Sequence, residues 1–354
     1  KLSASNLAIV NGEASIVDKN HVLCGDETYE CDNLLLCTGS ETFIPPIPGI
    51  DTVPYWTHRD ALDNKELPKS LVVIGGGVIG MEFASFFNSL GVEVTVIEML
   101  DEILGGMDKE LSAMLRAEYA KRGIKFMLNT KVVSLDGSTG ENGETQVRVN
   151  YENAEGTGFS VAEKLLMSVG RRPVTKGFGL ENLNPEKTER GNIRVDGQMR
   201  TSVTGVYACG DLTGFSLLAH TAVREAEVAV HAVLGKKDCM SYRAIPGVVY
   251  TNPEIAGVGD TEEALQKKGI PYRTVKLPMA YSGRFVAENE GVNGICKLLL
   301  AEDDTVLGAH VLGNPASEII TLAGMAVELK LTAAEWKKIV FPHPTVGEIF
   351  KEAL

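Results

Sequence analysis

The sequence predicts an α/β fold with a parallel β-sheet in its middle part and a separate α+β domain at its C-terminal end. A continuous apolar stretch, residues 71–74, runs into a Gly-rich loop and an apolar helix pattern, as in a βαβ unit of a parallel sheet. A second apolar strand, residues 92–97, follows. From about Tyr242, strands and helices alternate without another Gly-rich loop, so we expect a domain of another kind there.

Composition and charge exclude some classes of partner. The 354 residues are 44% apolar and 23% charged, which is typical of a globular chain of two or three domains. The formal charge is −13, whereas nucleic acids and anionic membranes attract basic surfaces. The sequence has no run of 18 apolar residues and no signal-peptide core. We therefore expect neither nucleic acid nor membrane as a partner.

The cysteines have neither redox nor metal spacing. None forms C-x-x-C or C-x4-C, and each lies in or beside a strand-like run. We interpret them as reduced structural thiols, predict no metal site and expect a cytoplasmic, reducing compartment. The six are Cys24, Cys31, Cys37, Cys209, Cys239 and Cys296.

The first 48 residues predict short strands and then a linker. Residues 7–10 and 14–17 flank Asn11-Gly12, which is a turn signal. Residues 34–37 form an apolar strand. The three prolines within residues 45–48 exclude regular structure and predict a linker.

Helices and strands continue through the middle of the chain. The helix after the Gly-rich loop presents one apolar face and ends at Gly91, and a second helix over residues 109–121 ends at Gly123. Residues 147–151 and 164–167 predict further strands. The predicted face of the first helix consists of Ile79, Phe83, Phe86 and Leu90.

Three helix starts are predicted in the C-terminal part. Asn314 has the character of an N-cap with Pro315 at the first helical position. Capping boxes are predicted at Thr332 with Glu335 and at Thr345 with Glu348.

The Gly-rich loop has the spacing of a dinucleotide site. Gly75 permits the tight turn, Gly77 lets the backbone approach a pyrophosphate, and Gly80 lets the helix pack closely, while the helix N-terminus faces the phosphates. Glu98 ends the next strand, where a carboxylate accepts from a ribose 2′-hydroxyl and repels a 2′-phosphate. No arginine follows in residues 99–102, so we predict NAD rather than NADP. The alternative for Glu98 is a solvated loop acid.

Further motifs occur in a fixed order around this loop. They are Thr38-Gly39-Ser40, Gly170-Arg171-Arg172-Pro173, Gly205-Val206-Tyr207-Ala208-Cys209-Gly210-Asp211, Leu217-Leu218-Ala219-His220 and Phe341-Pro342-His343-Pro344-Thr345-Val346-Gly347-Glu348. Together with the loop, in this order, they resemble the dihydrolipoamide dehydrogenase family of class I pyridine nucleotide-disulfide oxidoreductases.

The resemblance implies a flavoprotein fold with two Rossmann-like dinucleotide-binding domains and a C-terminal α+β dimerisation domain. The implied boundaries are 1–65 and 173–242 for a partial FAD domain, 66–172 for the NAD domain and 243–354 for dimerisation. The family's own flavin fingerprint and its C-x4-C pair do not occur. We therefore expect an N-terminally truncated form with an incomplete FAD site, which binds NAD weakly, dimerises and is inactive alone.

The resemblance also implies the site residues. His343 and Glu348 are the implied acid–base dyad, and the histidine acts on the disulfide of the opposite subunit. For Glu348 the alternative is the capping box, and His343–Pro344 is a candidate cis bond. In the family, the aspartate that corresponds to Asp211 of this sequence holds the ribityl chain of FAD. The implied cofactor-binding residues are Gly75, Gly76, Gly77, Val78, Ile79, Gly80, Met81, Glu82, Glu98, Val132, Gly170, Gly12, Thr38, Gly39, Ser40, Asp211, Leu217, Leu218, Ala219 and His220.

The implied activity is that of a dihydrolipoyl dehydrogenase, which reoxidises dihydrolipoamide through an enzyme disulfide and FAD to NAD. The implied protein is a homodimer whose partner is a lipoyl-bearing acyltransferase or a glycine cleavage carrier protein. Two alternatives stay open: another flavin disulfide reductase or transhydrogenase, and a non-catalytic NAD-binding dimerisation module.

Overall fold

The computed structural model describes residues 6–140 and 143–354. The chain forms two compact units, and each is made of two stretches of sequence. Unit 1 comprises Lys1–Glu41 and Arg171–Tyr242, and unit 2 comprises Thr42–Gly170 and Arg243–Leu354. The domain boundaries at residues 65, 172 and 242 stay predictions.

The strands of the described residues are numbered in chain order. They are β1 Ala14–Asp18, β2 His21–Cys24, β3 Glu27–Glu30, β4 Leu34–Leu36, β5 Ser40–Thr42, β6 Ser70–Ile74, β7 Glu93–Ile97, β8 Lys125–Met127, β9 Lys131–Thr139, β10 Thr145–Asn153, β11 Gly156–Ala162, β12 Lys164–Met167, β13 Arg171–Pro173, β14 Val206–Ala208, β15 Gly247–Val249, β16 Ile255–Gly259, β17 Arg273–Pro278, β18 Ile295–Leu300 and β19 Val306–Leu312.

The α-helices are numbered in the same way. They are α1 His58–Asp63, α2 Val78–Ser89, α3 Lys109–Lys121, α4 Ala219–Val233, α5 Glu262–Lys268, α6 Gly283–Glu288, α7 Ala316–Glu328, α8 Ala333–Lys337 and α9 Ile349–Ala353.

Unit 1 consists of small sheets with α4 beside them. Strands β1, β2 and β3 form an antiparallel sheet, and β4 pairs with β14 in parallel. Leu36, Val206 and Ala208 are buried in its core with Leu180 and Ile193. The parallel pair places the ends of β4 and β14 side by side, so residues 37–40 and 209–211 are neighbours.

Unit 2 contains the predicted parallel sheet. Strands β12, β6, β7 and β8 are adjacent in that order and all parallel. An antiparallel sheet of β11, β10 and β9 lies in the same unit. Because Ile74, Ile97 and Met167 are in register, the residues that follow these strands meet at one edge of the sheet, where α/β folds bind ligands.

The C-terminal part of unit 2 is built on an antiparallel sheet in the order β15-β16-β19-β18-β17. Helix α7 packs on β16 and β19, and α9 packs near β17 and β18. Val249, Ile255 and Leu312 from this sheet share one buried core with strands β6 and β7. The predicted mixed α+β character of this part is therefore confirmed.

Two predictions about the N-terminal half are wrong. Residues 7–10 form no strand, because Leu7, Ile9 and Val10 are exposed and have no partner strand. The first turn instead joins β1 to β2 at Asn20, whose backbone N–H donates to Asp18. The predicted buried face of α2 is also wrong in part.

The buried face of α2 is offset from the predicted one. Gly80, Met81, Ala84, Ser85 and Phe87 are buried, and the short side chains among them let the helix approach the sheet closely, while Phe83 of the predicted face packs against the core in part. Of the predicted face, Phe86 is 55% exposed and Leu90 is 47% exposed.

Two of the three predicted helix starts are wrong. The α7 N-cap is Pro315, which follows a cis bond, and the Asn314 side chain accepts from the Glu254 backbone instead. At the chain end the α9 N-cap is Glu348, which has no side-chain cap bond, and Thr345 donates to Pro342. The capping box at Thr332 is confirmed.

Candidate functional site

The Gly-rich loop connects β6 to α2 at the carboxyl edge of the parallel sheet. Gly75 has φ +101°, which disfavours a side chain, and a Cβ there would lie 2.3 Å from the Ser168 carbonyl oxygen. A Cβ on Gly80 would lie 2.1 Å from the Gly75 oxygen. A Cβ on Gly77, in contrast, would meet nothing within 4 Å. The loop is therefore tightly packed on the protein side and open at Gly77, as a pyrophosphate site requires.

Glu98 lies directly against this loop. One of its carboxylate oxygens accepts from the Gly76 N–H at 2.7 Å, and the other accepts from the Leu100 N–H at 2.8 Å. The carboxylate therefore faces the loop and is held by two backbone N–H groups, and its contact with a ribose stays a prediction.

The other predicted residues of this region occupy different places. Val78 and Ile79 begin α2, but the Met81 side chain is fully buried in the core. Glu82 accepts from the Tyr250 backbone, and burial raises the pKa of its carboxyl. Val132 lies in β9 and packs on the core between the sheets.

Gly170 follows β12 at the same edge of the sheet as Gly75 and Glu98. It has φ +123°, and its carbonyl accepts from the Phe43 N–H at 3.0 Å. Gly170 therefore lies after β12, at the edge of the sheet where the Gly-rich loop follows β6.

In unit 1, the predicted flavin-side residues meet at the ends of β4 and β14. The Ser40 hydroxyl donates to the Asp211 carboxylate, and the Arg171 guanidinium lies 3.8 Å from the same carboxylate. The Thr38 hydroxyl donates to the Val174 carbonyl at 2.8 Å. The Asp211 side chain is 24% exposed, so the pair can contact a ligand with sugar hydroxyls.

The remaining flavin-side predictions lie at other positions of unit 1. Gly39 has φ +70° in the turn after β4. Leu217 and Leu218 lie in a loop before α4, and Ala219 and His220 are its first, exposed residues. Gly12 is exposed in the segment before β1.

Glu225, a buried acid that contacts the backbone next to Asp211, was not predicted from the sequence. Glu225 of α4 is fully buried, and its carboxylate accepts from the Gly210 N–H at 2.5 Å and from the Tyr242 hydroxyl at 2.6 Å. Burial raises the pKa of Glu225 and, together with its hydrogen bond to Glu225, that of Tyr242. The signal that could have found it is a glutamate on the apolar side of the α4 pattern.

His343 and Glu348 form a hydrogen-bonded pair near the C-terminus. The Nδ1 atom of His343 lies 2.9 Å and 3.2 Å from the two carboxylate oxygens of Glu348. The histidine side chain is 81% exposed, whereas the glutamate is 11% exposed. The His343–Pro344 bond is cis, as the sequence suggested. The fixed carboxylate therefore orients an imidazole whose other nitrogen faces outward.

An apolar groove of about 600 Å³ lies beside this pair. Exposed side chains line it, among them Met325, Leu329 and Val340, and Pro342 and Pro344 flank the histidine along its wall. Exposed apolar surface of this extent is typical of an interface between proteins.

Two family models match nearly the whole chain. One, described as pyridine nucleotide-disulphide oxidoreductase, matches residues 2–226, and the dimerisation domain of the same family matches residues 245–354. The chain belongs to the pyridine nucleotide-disulphide oxidoreductase family. It therefore carries this family's dimerisation domain, and the predicted class of enzyme is confirmed.

Curated members of this family resemble the chain over almost all its length. It is 38% identical to human mitochondrial dihydrolipoyl dehydrogenase, over 97% of this chain and 68% of that protein. It is also 38% identical to dihydrolipoyl dehydrogenase of Geobacillus stearothermophilus, over 99% and 74%. The chain is thus a dihydrolipoyl dehydrogenase-like member of the pyridine nucleotide-disulphide oxidoreductases.

Solved structures of the family share the fold. The flavoprotein disulfide reductase RclA from Escherichia coli, in a Cu(II) complex, is 28% identical with a TM-score of 0.88, covering 98% of this chain and 79% of that one. LpdA from Mycobacterium tuberculosis is also 28% identical, with a TM-score of 0.84 over 97% and 75%. The predicted flavoprotein reductase fold is therefore confirmed.

Proposed function

We propose that the protein takes part in the reaction of an NAD-linked dihydrolipoyl dehydrogenase and that these 354 residues supply its NAD-binding and acid–base groups. The substrate is the dithiol of a dihydrolipoyl group on an acyltransferase or on a glycine cleavage carrier protein. The net reaction oxidises the dithiol to a disulfide, reduces NAD⁺ to NADH and releases one proton. The observation that carries the proposal is the oriented His343–Glu348 pair, because oxidation of a dithiol begins with the loss of a thiol proton.

The residues after β6 and β7 fit NAD. The open space at Gly77 leaves room for a pyrophosphate against the N-terminus of α2. Glu98 can accept from the ribose hydroxyls, and its charge opposes a 2′-phosphate. NAD supplies the final hydride acceptor when bound, and these residues orient it.

The residues after β4 and β14 fit part of a flavin. Asp211 and Ser40 offer a carboxylate and a hydroxyl for the hydroxyls of a ribityl chain. Glu225 fixes the backbone that carries Asp211, because it accepts from the Gly210 N–H. When bound, FAD supplies the two-electron link between dithiol and NAD.

His343 takes the thiol proton in this proposal. With Nδ1–H donated to Glu348, the lone pair of Nε2 faces outward and can accept a proton from a dithiol. The carboxylate stabilises the imidazolium that results, because the opposite charges lie within hydrogen-bonding distance. The dimerisation domain supports a homodimer, and in this proposal the histidine of one subunit acts on a dithiol presented at the interface with the other.

Titration calorimetry with NADH and NADPH tests the nucleotide assignment. We expect the chain to bind NADH at least about tenfold more tightly than NADPH, since a hydrogen bond to a charged group contributes about 1.5–3 kcal/mol. Glu98→Ala should remove this preference. Glu93→Ala removes an exposed acid at the start of β7, the strand that Glu98 follows, and should leave the preference unchanged. Equal affinities of the unsubstituted chain for the two nucleotides would contradict the assignment.

An assay of NAD reduction by dihydrolipoamide tests how much of the reaction these 354 residues perform. None of the six cysteines has the C-x4-C spacing of the family's redox pair, so we expect no turnover by the chain alone, with FAD added. A rate that His343→Gln lowers by a factor of about 10²–10⁴, the usual loss for a general base, would show that the chain is catalytic and would overturn this expectation.

A further inference from the structure

Cys37 and Cys209 lie together although 172 positions separate them in the sequence. Each residue directly follows a strand, Cys37 after β4 and Cys209 after β14, and these strands pair in parallel with Leu36 opposite Ala208. The Cys209 N–H donates to the Leu36 carbonyl at 3.1 Å, which extends the pairing to the two cysteines. Their Sγ atoms are 3.3 Å apart.

This backbone geometry is compatible with a disulfide. Neighbouring strands are about 4.8 Å apart, and disulfides span Cα–Cα distances of about 4.4–6.8 Å. Bond formation would bring the two sulfur atoms closer by about 1.2 Å, to a separation of about 2.05 Å. A shift of this size needs side-chain adjustment and no rearrangement of the strands.

The two thiols have different environments. Cys37 is exposed, whereas Cys209 is 4% exposed. A hydrogen bond from the Cys209 thiol lowers the pKa of Cys37. The same hydrogen bond, burial and the charge of Glu225 raise the pKa of Cys209. Cys37 is therefore the thiol that a reagent can reach and that ionises first, which is the character of an attacking thiol.

We propose that Cys37 and Cys209 form a reversible thiol–disulfide exchange site for low-molecular-weight disulfides. The Cys37 thiolate attacks one sulfur of the small disulfide, forms a mixed disulfide and releases one small thiolate. Cys209 then attacks the Cys37 sulfur as its proton leaves, the protein disulfide forms, and the second small thiolate is released. The protein dithiol is oxidised, the small disulfide is reduced, and the two protein protons appear on the two small thiols.

The site is placed to influence the Ser40–Asp211 pair. Ser40 lies three residues after Cys37, and Asp211 lies two residues after Cys209. A disulfide would covalently join the two strand ends that present this pair, so the oxidation state of the dithiol would set how freely the two ends separate.

Thiol mapping by mass spectrometry tests the proposal. Reduced protein is incubated with oxidised glutathione, alkylated and digested. We expect a peptide pair linked through Cys37 and Cys209, with no stable glutathione on either residue. Cys209→Ser should accumulate a glutathione adduct on Cys37, and Cys37→Ser should lose the link. Cys239→Ser, which removes an exposed thiol elsewhere in unit 1, should form the link as the unsubstituted chain does.

Two results would overturn the proposal. In one, the unsubstituted chain keeps both thiols free under conditions that place glutathione on Cys239. In the other, it retains a glutathione adduct on Cys37 to the same extent as Cys209→Ser. Both results come from the unsubstituted chain, so they hold even if a substitution at buried Cys209 impairs folding. Neither depends on NAD or FAD, so they are independent of the proposed dehydrogenase activity.

Discussion

At the scale of single residues, the glycines of the loop after β6 have different tasks. Gly75 and Gly80 are required by the packing of the protein itself, since a Cβ at either would overlap backbone atoms. Gly77 is not, because its backbone is extended at φ −71° and ψ −176° and its surroundings are open. If the proposed nucleotide site is correct, the reason for glycine at 77 is therefore the ligand rather than the packing of the protein.

Alanine substitutions separate these two tasks. Gly77→Ala should leave the thermal midpoint within about 2 °C of the unsubstituted chain, yet weaken NADH binding by about tenfold or more, because its methyl group occupies the space for the pyrophosphate. Gly80→Ala should instead lower the free energy of unfolding by about 1–3 kcal/mol through overpacking. Calorimetry and thermal melts measure both. Undiminished NADH affinity in Gly77→Ala would place the nucleotide elsewhere.

Residues with local sequence signals could be predicted, whereas residues brought together by distant strand pairing could not. Gly75, Gly80 and Glu98 meet around one loop after β6, as short spacings along the chain indicate, and their roles in nucleotide binding stay predictions. Glu225 and the Cys37–Cys209 contact depend on strand pairing between distant segments. A single sequence does not encode such pairing in any local pattern.

At the scale of elements, a buried lysine joins α3 to the C-terminal sheet. Lys297 of β18 is 1% exposed, and its Nζ lies 2.8 Å from Asp108 and 3.0 Å from Glu110 at the start of α3, with Glu262 also in contact. Burial alone lowers the pKa of Lys297, but the hydrogen bonds to these carboxylates outweigh burial and raise it. Asp108 also caps α3 by accepting from Leu111.

Removal of this ammonium should strongly destabilise unit 2. Lys297→Met leaves the buried Asp108 carboxylate without its counter-charge, for which we expect a loss of about 3–5 kcal/mol in the free energy of unfolding. Lys276→Met, which removes a half-exposed lysine bound to the same Glu110, should lose at most about 1 kcal/mol. Urea unfolding measures both. Equal losses would show that burial of the cluster is energetically unimportant.

The stability that this cluster contributes should also depend on pH. Burial raises the pKa values of Glu110 and Glu262. Hydrogen bonds from Lys276 and Lys297 to Glu110, and from Lys297 and Thr274 to Glu262, outweigh burial and hold both pKa values below their usual range. Carboxyls whose pKa is depressed by folding stabilise the protein above their unfolded pKa, and this contribution disappears as the pH falls through the folded values. The loss of stability below about pH 4.5 should therefore be shallower in Lys297→Met.

Elements were predicted best where local pattern and packing agree. Helix α3 matches the predicted residues 109–121, since its N-cap and its terminal glycine are local signals. The face of α2 was offset because hydrophobicity alone favoured Phe86 and Leu90, whereas packing on the sheet buried Phe87 and Met81 together with glycine, alanine and serine. The second capping box was wrong because His343 takes up the Glu348 carboxylate.

At the scale of the whole molecule, we expect the groove beside His343 to belong to the surface for dimerisation. It belongs to the segment that matches the family's dimerisation domain. Val340 is 87% exposed, and Leu329 and Met325 are more than half exposed. Contact with a second copy would remove this apolar area from water, which stabilises association by about 25 cal/mol per Å² before the entropic loss.

A charge in the groove should therefore prevent dimer formation. Val340→Asp would bury an unpaired carboxylate at the interface, so sedimentation analysis should show monomers at concentrations where the unsubstituted chain is dimeric. Val161→Asp changes a partly exposed valine of β11 in the same unit and should leave the dimer intact. A dimer that persists in Val340→Asp would assign the interface to another surface.

The composition of unit 2 from two separated stretches has a consequence during synthesis. Its shared core needs strands β6 and β7 as well as Val249, Ile255 and Leu312. The segment Arg171–Tyr242, about 70 residues long, is translated after these strands and before the three residues. At about 5–20 residues per second, this interval lasts about 4–14 seconds. Throughout this interval, the nascent parallel sheet exposes apolar surface that only later residues can cover. We therefore expect chaperones to bind the growing chain at this stage of synthesis.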